Sequence, residues 1–166
     1  MQFHVDGRFQ LNVLIFSLIL LFIQYKPIED TVLSAFFVLY DNNFYHALFI
    51  ILLFVLTLTL LHESIHAFFY AIFGARLKVG FMGINPYLID SSKKHFSIIR
   101  YSIIILSPLV FISLFSLLFK SLLGSLIFYF NLFCSTGDIM LTLSLSSYSK
   151  GSEFTDESYG YKVYQK

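Results

Sequence analysis

Long apolar stretches constrain the fold of this chain more than any other feature. The longest covers residues 44–73, in which positions 47–61 carry no charge, and three more cover 9–25, 97–119 and 122–146. A helix needs about 20 apolar residues to cross the hydrocarbon core of a bilayer. With 57% hydrophobic and 13% charged residues, the chain is predicted to be an all-α integral membrane protein with about four transmembrane helices.

The segment between the first two stretches is too short to cross a bilayer. Residues 26–30 are polar and are interpreted as a turn, whereas residues 31–43 are apolar for only ten positions before becoming polar. We interpret 31–43 as a re-entrant or interfacial segment. Residues 1–150 are expected to form a single membrane-embedded domain, followed by a polar C-terminal tail at 151–166.

The connection between the second and third stretches has the period of a β-strand. Leu77, Val79 and Phe81 alternate with Lys78 and Gly80, and alternation of this kind is typical of a strand. The sequence therefore predicts a short β-hairpin or loop between the second and third transmembrane helices.

Basic residues predict the orientation of the chain. Five of the eleven Lys and Arg residues flank the same connection: Arg76, Lys78, Lys93, Lys94 and Arg100. Because short basic loops stay on the cytoplasmic side, the connection is expected to face the cytoplasm, and with four spans both termini do so too. We therefore expect an integral protein of the bacterial cytoplasmic membrane.

The most specific motif is His62-Glu63-Ser64-Ile65-His66, in the last third of the second span. Histidines four residues apart project from one face of a helix and can bind one metal ion, although the pattern alone also matches unrelated proteins by chance. Ionisable groups inside a membrane segment, however, usually mark a functional site. The motif indicates a zinc site in which Glu63 takes a proton from a water molecule.

A catalytic zinc ion needs a third protein ligand and one open position. Apart from Glu63, Asp138 is the only acidic residue within the apolar stretches. If the second and fourth spans run parallel, His66 and Asp138 stand at a similar depth, about 12 to 14 Å before the polar end of each helix. Gly137 is expected to let the two helices approach closely. Asp138 is therefore predicted to be the third ligand.

Asn131 and Cys134 precede Asp138 on the same helical face. Cys134 could bind zinc or fill space as a small apolar residue, and Asp138 is preferred because a carboxylate without a partner is unfavourable in a membrane. Asn131 could steady a ligand, donate a hydrogen bond to a developing oxyanion, or bond to a neighbouring helix. Both residues are candidates for supporting the metal site.

The chain resembles the small putative zincin peptidases, which are similar to site-two-type intramembrane metalloproteases. The resemblance covers about residues 58–164 and rests on the His62 to His66 motif, Pro86-Tyr87, Leu106-Ser107-Pro108, the segment from Asn131 to Asp138, and the tail from Asp156 to Tyr164. It implies a single metalloprotease-like domain, zinc bound by His62, His66 and Asp138, and Glu63 as the catalytic base.

The predicted function is zinc-dependent hydrolysis of a peptide bond in or near the membrane. Its substrate would be a membrane protein or a signal peptide. Leu77, Val79 and Phe81 could hold this substrate in extended form by strand addition, and a plain cytoplasmic loop is an equally good interpretation of that segment.

The alternative is a membrane protein that holds zinc without catalysis, or that binds a partner in an immunity or regulatory role. A metal transporter fits less well, because the polar groups within the spans cluster at one depth. The net charge of +1 and the lack of a basic block give no indication of nucleic acid as a partner.

Overall fold

The computed structural model describes residues 2–40, 44–82, 85–119, 121–157 and 160–164. Most of this part of the chain is helical. Its helices are α1 (Gly7–Ile23), α2 (Tyr25–Tyr40), α3 (Phe44–Ile72), α4 (Ile98–Leu117), α5 (Leu122–Cys134) and α6 (Thr136–Leu145). Its strands are β1 (Gln2–His4), β2 (Leu77–Met82), β3 (Asn85–Asp90), β4 (Phe96–Ser97), β5 (Glu153–Glu157) and β6 (Gly160–Tyr164).

Two helices are long and apolar enough to cross a membrane by themselves, α3 with 29 residues and α4 with 20. Two pairs of helices are long and apolar enough only when each pair is taken as one segment. Both pairs are bent, α1 relative to α2 by 80° and α5 relative to α6 by 46°. Each bent pair is either one broken span or a re-entrant loop. The described residues therefore contain two candidate spans, or up to four, and the number four stays a prediction.

The polar turn expected at residues 26–30 is instead the beginning of α2. Lys26 Nζ lies 3.3 Å from Glu29 Oε2 and 3.0 Å from Asp30 Oδ1. Side chains three and four residues apart are neighbours on a helix, so these charges support helix rather than turn. The segment 31–43 continues this helix as far as Tyr40, and its last three residues lie outside the described part of the chain.

A β-hairpin connects α3 to α4, as the alternating residues predicted. Its strands β2 and β3 are antiparallel, with Leu77 opposite Asp90 and Val79 opposite Leu88. All three alternating residues, including Phe81, lie on β2. The side of the membrane that the hairpin faces stays a prediction.

A second sheet corrects the all-α prediction. It has four antiparallel strands in the order β1-β6-β5-β4, and the segment interpreted as a polar tail supplies β5 and β6. Phe154 and Tyr161 are fully buried, and Val163 is nearly so. These strands are only five residues long, so their alternation is too short to stand out among Asp, Glu and Ser in the sequence.

The sheet packs against α3, α4 and α6. One hydrophobic cluster joins the sheet to these helices and includes Tyr70, Tyr101, Ile104, Leu145, Phe154 and Tyr161. A smaller cluster joins α3, α4 and α5 and consists of Leu58, Ile112 and Ile127. The last turns of α3, which carry the histidine motif, are thus held between two cores.

Candidate metal centre

The two histidines of α3 face each other across one helical turn. His66 Nε2 lies 3.2 Å from His62 Nε2, as the four-residue spacing requires for side chains on one face. Only 8% of the His62 side chain and 13% of the His66 side chain are exposed. The helix therefore presents two imidazole nitrogens to one small, enclosed space.

Asp138 reaches the same space from the first turn of α6. Its Oδ2 atom lies 3.1 Å from His62 Nε2 and 3.6 Å from His66 Nε2. The carboxylate stands there because the α5–α6 pair bends at Ser135, so that a new helix begins at Thr136, two residues before Asp138. The N-terminal end of a helix favours a negative charge, and the break thus provides a suitable position for an anionic ligand.

The three ligand atoms are spaced as a tetrahedral metal ion requires. Zinc binds nitrogen and oxygen at about 2.0 to 2.1 Å, which separates neighbouring ligand atoms by roughly 3.3 to 3.4 Å. The three separations in the protein are 3.1, 3.2 and 3.6 Å. His62, His66 and Asp138 are the only group of three or more such side chains among the described residues whose ligand atoms lie within 4.8 Å of one another.

The Asp138 carboxylate oxygen faces the two imidazole nitrogens without a hydrogen bond from a described residue to satisfy it. Asp138 Oδ2 is buried and has no hydrogen-bond partner among the described residues, although His62 Nε2 is only 3.1 Å away. Buried carboxylate oxygens normally accept a hydrogen bond or bind a metal. The spacing of the three ligand atoms and this unsatisfied oxygen therefore both fit a zinc ion.

The two histidines differ in the support that their second nitrogen receives. His66 Nδ1 lies 2.9 Å from the carbonyl oxygen of Ile104 on α4. Since a carbonyl can only accept, His66 Nδ1 must donate, which leaves the lone pair of the neutral imidazole on Nε2. His62 Nδ1, by contrast, is buried without a hydrogen-bond partner in the described part of the chain.

Glu63 lies beside these ligands in a cavity of about 170 Å³. The cavity wall also includes His66 and Asp138 from the helices, and Asp156 and Gly160 from the sheet. Glu63 is half-buried. The space is large enough for several water molecules at about 30 Å³ each, so a carboxylate and water can share it with the candidate metal ligands.

The structure does not bring the two other polar candidates of this region to the cluster. The Asn131 amide donates to the carbonyl oxygens of Pro108 and Leu109 at 3.4 and 3.3 Å, and to Ser113 Oγ at 3.2 Å. This is the helix-to-helix bonding that was one interpretation of Asn131. Cys134 is exposed and lies outside the group of metal-binding atoms.

Two other expectations concern the approach of helices and substrate. A Cβ atom added at Gly137 would meet no atom within 4 Å, so the expected close helix contact at this glycine is wrong. Leu77, Val79 and Phe81 lie on β2, whose pairing in its sheet is with β3 alone. Among the described residues, the outer edge of β2 therefore has no strand partner.

A half-buried carboxyl group on the sheet was not predicted from the sequence. Asp156 accepts hydrogen bonds from Tyr101 Oη and from the backbone of Asp90, both at 3.1 Å. Burial raises the pKa of Asp156 to about 6, although these donors and Tyr70 oppose the rise. The only sequence signal was its place in the tail segment that carries the family resemblance.

Asp90 shows the opposite balance on the neighbouring hairpin. Burial raises its pKa, but hydrogen bonds from the Ser92 hydroxyl and from the backbone of Lys94, Ser92 and Arg76 outweigh burial and hold that pKa below its ordinary value. Asp90 thus stays ionised. Its carboxylate accepts hydrogen bonds from Arg76 before the hairpin and from Ser92 and Lys94 after it.

Comparison with known families agrees with this geometry. A family model described as "Putative zincin peptidase" matches residues 55–152, more than half of the chain. The matched region contains all three side chains that could hold a metal ion, as well as Glu63, and it ends just before β5. It confirms the resemblance to zincin peptidases that the motifs indicated. No curated protein and no solved structure matches the chain.

Proposed function

The chain belongs to the putative zincin peptidase family, and on that premise we propose that it is a zinc-dependent endopeptidase that cuts peptide bonds in or near the membrane. The observation that carries this proposal is the tetrahedral spacing of His62 Nε2, His66 Nε2 and Asp138 Oδ2, at 3.1 to 3.6 Å. The group is joined by a carboxylate, Glu63, on the wall of the same cavity.

His62, His66 and Asp138 would hold the ion. When bound, zinc lowers the pKa of a water molecule toward neutrality and polarises the carbonyl group of the peptide bond. Glu63 takes the proton from the water and returns it to the nitrogen of the leaving amine. His66 keeps its proton on Nδ1 because the Ile104 carbonyl accepts a hydrogen bond from it. The Nε2 atom therefore stays available as a ligand throughout.

The substrate in this proposal is a membrane protein or a signal peptide. The motif lies in a 29-residue apolar helix, and a peptide bond inside a transmembrane helix must leave the helix before it can be hydrolysed. β2 offers an edge that could hold the unwound segment by strand addition, with Leu77, Val79 and Phe81 along it. The basic residues around the hairpin support a cytoplasmic site and cytoplasmic termini.

A site-two-type mechanism inside the bilayer is the finer form of the proposal. It is supported by the position of the ligands on α3 and α6, both of which belong to candidate spans or bent pairs. The cavity beside Glu63 also reaches the four-stranded sheet, whose polar residues offer water a route to the ligands. Water is required because hydrolysis consumes one molecule for each bond cut.

The proposal is tested by zinc content and cleavage together. Purified wild type in detergent is expected to hold about one zinc ion per chain, and His62→Ala should lose most of it. In vesicles, wild type should cleave members of a panel of single-span peptides, as read by mass spectrometry. Glu63→Gln should keep its zinc and lose cleavage, because the amide cannot take a proton.

Glu29→Gln is the matched control, since it makes the same change on α2, outside the cavity. It should retain both zinc and cleavage. Folded wild type without zinc, after metal has been offered, would refute the metal site. Full cleavage by Glu63→Gln would remove Glu63 from the mechanism, and a biological effect that survives Glu63→Gln would favour the partner-binding alternative.

A further inference from the structure

Pro108 interrupts the hydrogen bonding of α4 next to the metal centre. The helix runs from Ile98 to Leu117 with Pro108 in its interior. Proline has no N–H group, so the carbonyl four residues earlier loses its donor within the helix. In α4 that carbonyl belongs to Ile104.

The released carbonyl of Ile104 finds its donors in side chains. It accepts from His66 Nδ1 at 2.9 Å and from the Ser107 hydroxyl at 2.8 Å. Ile104 is fully buried, although it borders the cavity that contains Glu63. Without His66 the carbonyl would keep only the Ser107 hydroxyl, and because a lost hydrogen bond to a buried acceptor is unfavourable, the contact favours the observed position of the imidazole.

We infer that Pro108 is a positioning residue of the metal centre, acting through the Ile104 carbonyl on His66. By withholding an N–H group, it frees an acceptor that fixes His66 as the Nδ1–H form, with the Nε2 lone pair directed to the ligand space. This inference rests on the proposed zinc site. A partner on the second nitrogen of a metal-binding histidine sets its orientation and raises its affinity for the metal.

The geometry of the other histidine makes this role more important. His62 Nδ1 has no hydrogen-bond partner among the described residues, so no equivalent contact selects its form. The two Nε2 atoms are 3.2 Å apart, and only one proton fits between them. With His66 held by the carbonyl, His62 is the ring that must adjust when an ion enters.

The test combines NMR with zinc affinity. Imidazole ¹⁵N spectra of zinc-free wild type at about pH 8, where imidazole is ordinarily neutral, should show His66 in the Nδ1–H form. In Pro108→Ala the new amide should bond to Ile104, His66 should become a mixture of both forms, and zinc affinity in chelator competition should fall about 10- to 100-fold.

Two control variants separate this role from packing. Pro27→Ala changes an exposed proline at the start of α2 and should leave zinc affinity within about twofold. Ser107→Ala removes the competing donor while His66 keeps its bond, so its zinc affinity should not fall. A fall in Ser107→Ala equal to that in Pro108→Ala would mean that crowding at the carbonyl, not the His66 bond, matters, and would overturn the inference.

Failure of the inference is distinct from failure of the proposed function. An Nε2–H form of His66 in zinc-free wild type overturns the inference without any variant, even if zinc binds well. Unchanged zinc affinity and an unchanged imidazole spectrum in folded Pro108→Ala overturn it too. If wild type binds no zinc, the proposed function fails, whereas the imidazole spectra of the wild type and Pro108→Ala still decide whether Pro108 sets the form of His66.

Discussion

Two interruptions of helical structure meet at the candidate metal centre, and they work in different ways. α4 continues through Pro108 as one helix of 20 residues, whereas α5 and α6 form a 46° bend at Ser135. The first interruption frees a backbone carbonyl, which bonds to His66. The second starts a new helix, which carries Asp138. An interruption within one helix thus delivers a backbone atom, and one between two helices delivers a side chain.

The bend at Ser135 is held by hydrogen bonds instead of by proline. Ser135 is fully buried, and the Thr136 hydroxyl donates to the Phe133 carbonyl at 2.8 Å. Thr136 also accepts from Ser17 of α1 at 3.2 Å. The position of Asp138 therefore depends on a contact between helices that are distant in sequence, whereas the Ile104 carbonyl depends on one residue of its own helix.

The largest expected effect tests the side chain that the bend delivers. Asp138→Ala should lower zinc affinity by more than about 100-fold, since losing a ligand exceeds the 10- to 100-fold effect of losing a supporting group. Chelator competition measures the loss. Gly137→Ala is the neighbouring control, because a Cβ there meets no atom within 4 Å; a large zinc loss in that variant too would show that the turn, and not the carboxylate, is sensitive.

The next effect tests whether the beginning of α5 packs closely against the end of α4. A Cβ at Gly124 would lie 2.7 Å from the Ser116 carbonyl oxygen and still closer to that of Phe119. Gly124→Ala should therefore lower the free energy of unfolding by about 1 to 3 kcal/mol, seen as a lower thermal midpoint in detergent. Gly137→Ala again serves as the comparison and should change the midpoint little; equal midpoints for the two variants would contradict this packing.

Asp156 offers a comparison away from both interruptions, because its contact with α4 is at Tyr101. The pKa of Asp156 is about 6 in the fold, above its ordinary value near 4. Between about pH 4 and 6 the unfolded chain therefore ionises first, and stability should fall as pH rises through this window, then level off. The difference in thermal midpoint between wild type and Asp156→Asn should change across this pH range and stay constant outside it. Parallel curves would exclude Asp156 as the cause.

The smallest effect tests the bonds that hold the bend. Thr136→Val keeps the shape of the side chain but removes its hydrogen bonds, so stability should fall by about 1 kcal/mol and zinc affinity by less than about tenfold. The matched control is Thr142→Val on the same helix, because Thr142 Oγ1 is buried without a hydrogen-bond partner in the described residues. That variant should be neutral or slightly more stable, and a loss equal to that of Thr136→Val would mean that the bend does not need Thr136.

The sequence predicted the parts of the site that obey a local period. The four-residue spacing of His62 and His66 requires only a helix, and the alternation at residues 77–81 requires only a strand. Asp138 could be chosen because carboxylates inside apolar stretches are rare. Asn131 was harder, since a polar residue one or two turns away from a ligand can face either the metal or a neighbouring helix, and here it bonds to α4.

The short strands at both ends of the chain could not be predicted in this way. β1 has three residues and β5 and β6 have five each, too few for a period to emerge. Phe154 and Tyr161 become core residues only because the two ends of the chain and β4 meet over the helices. Likewise, Asp156 becomes half-buried only because Tyr101 and the hairpin lie against it.

The sequence alone determined the apolar helices, the histidine pair and the presence of a proline within α4, because each follows from covalent structure and local period. Only the tertiary structure decided what these features do. Pro108 determines that the Ile104 carbonyl has no backbone donor four residues later. The packing of α3 on α4 determines that His66 is a donor to it. Whether Asp138 reaches the histidines depends on a 46° bend stabilised across helices, and such long-range contacts are not determined by local sequence.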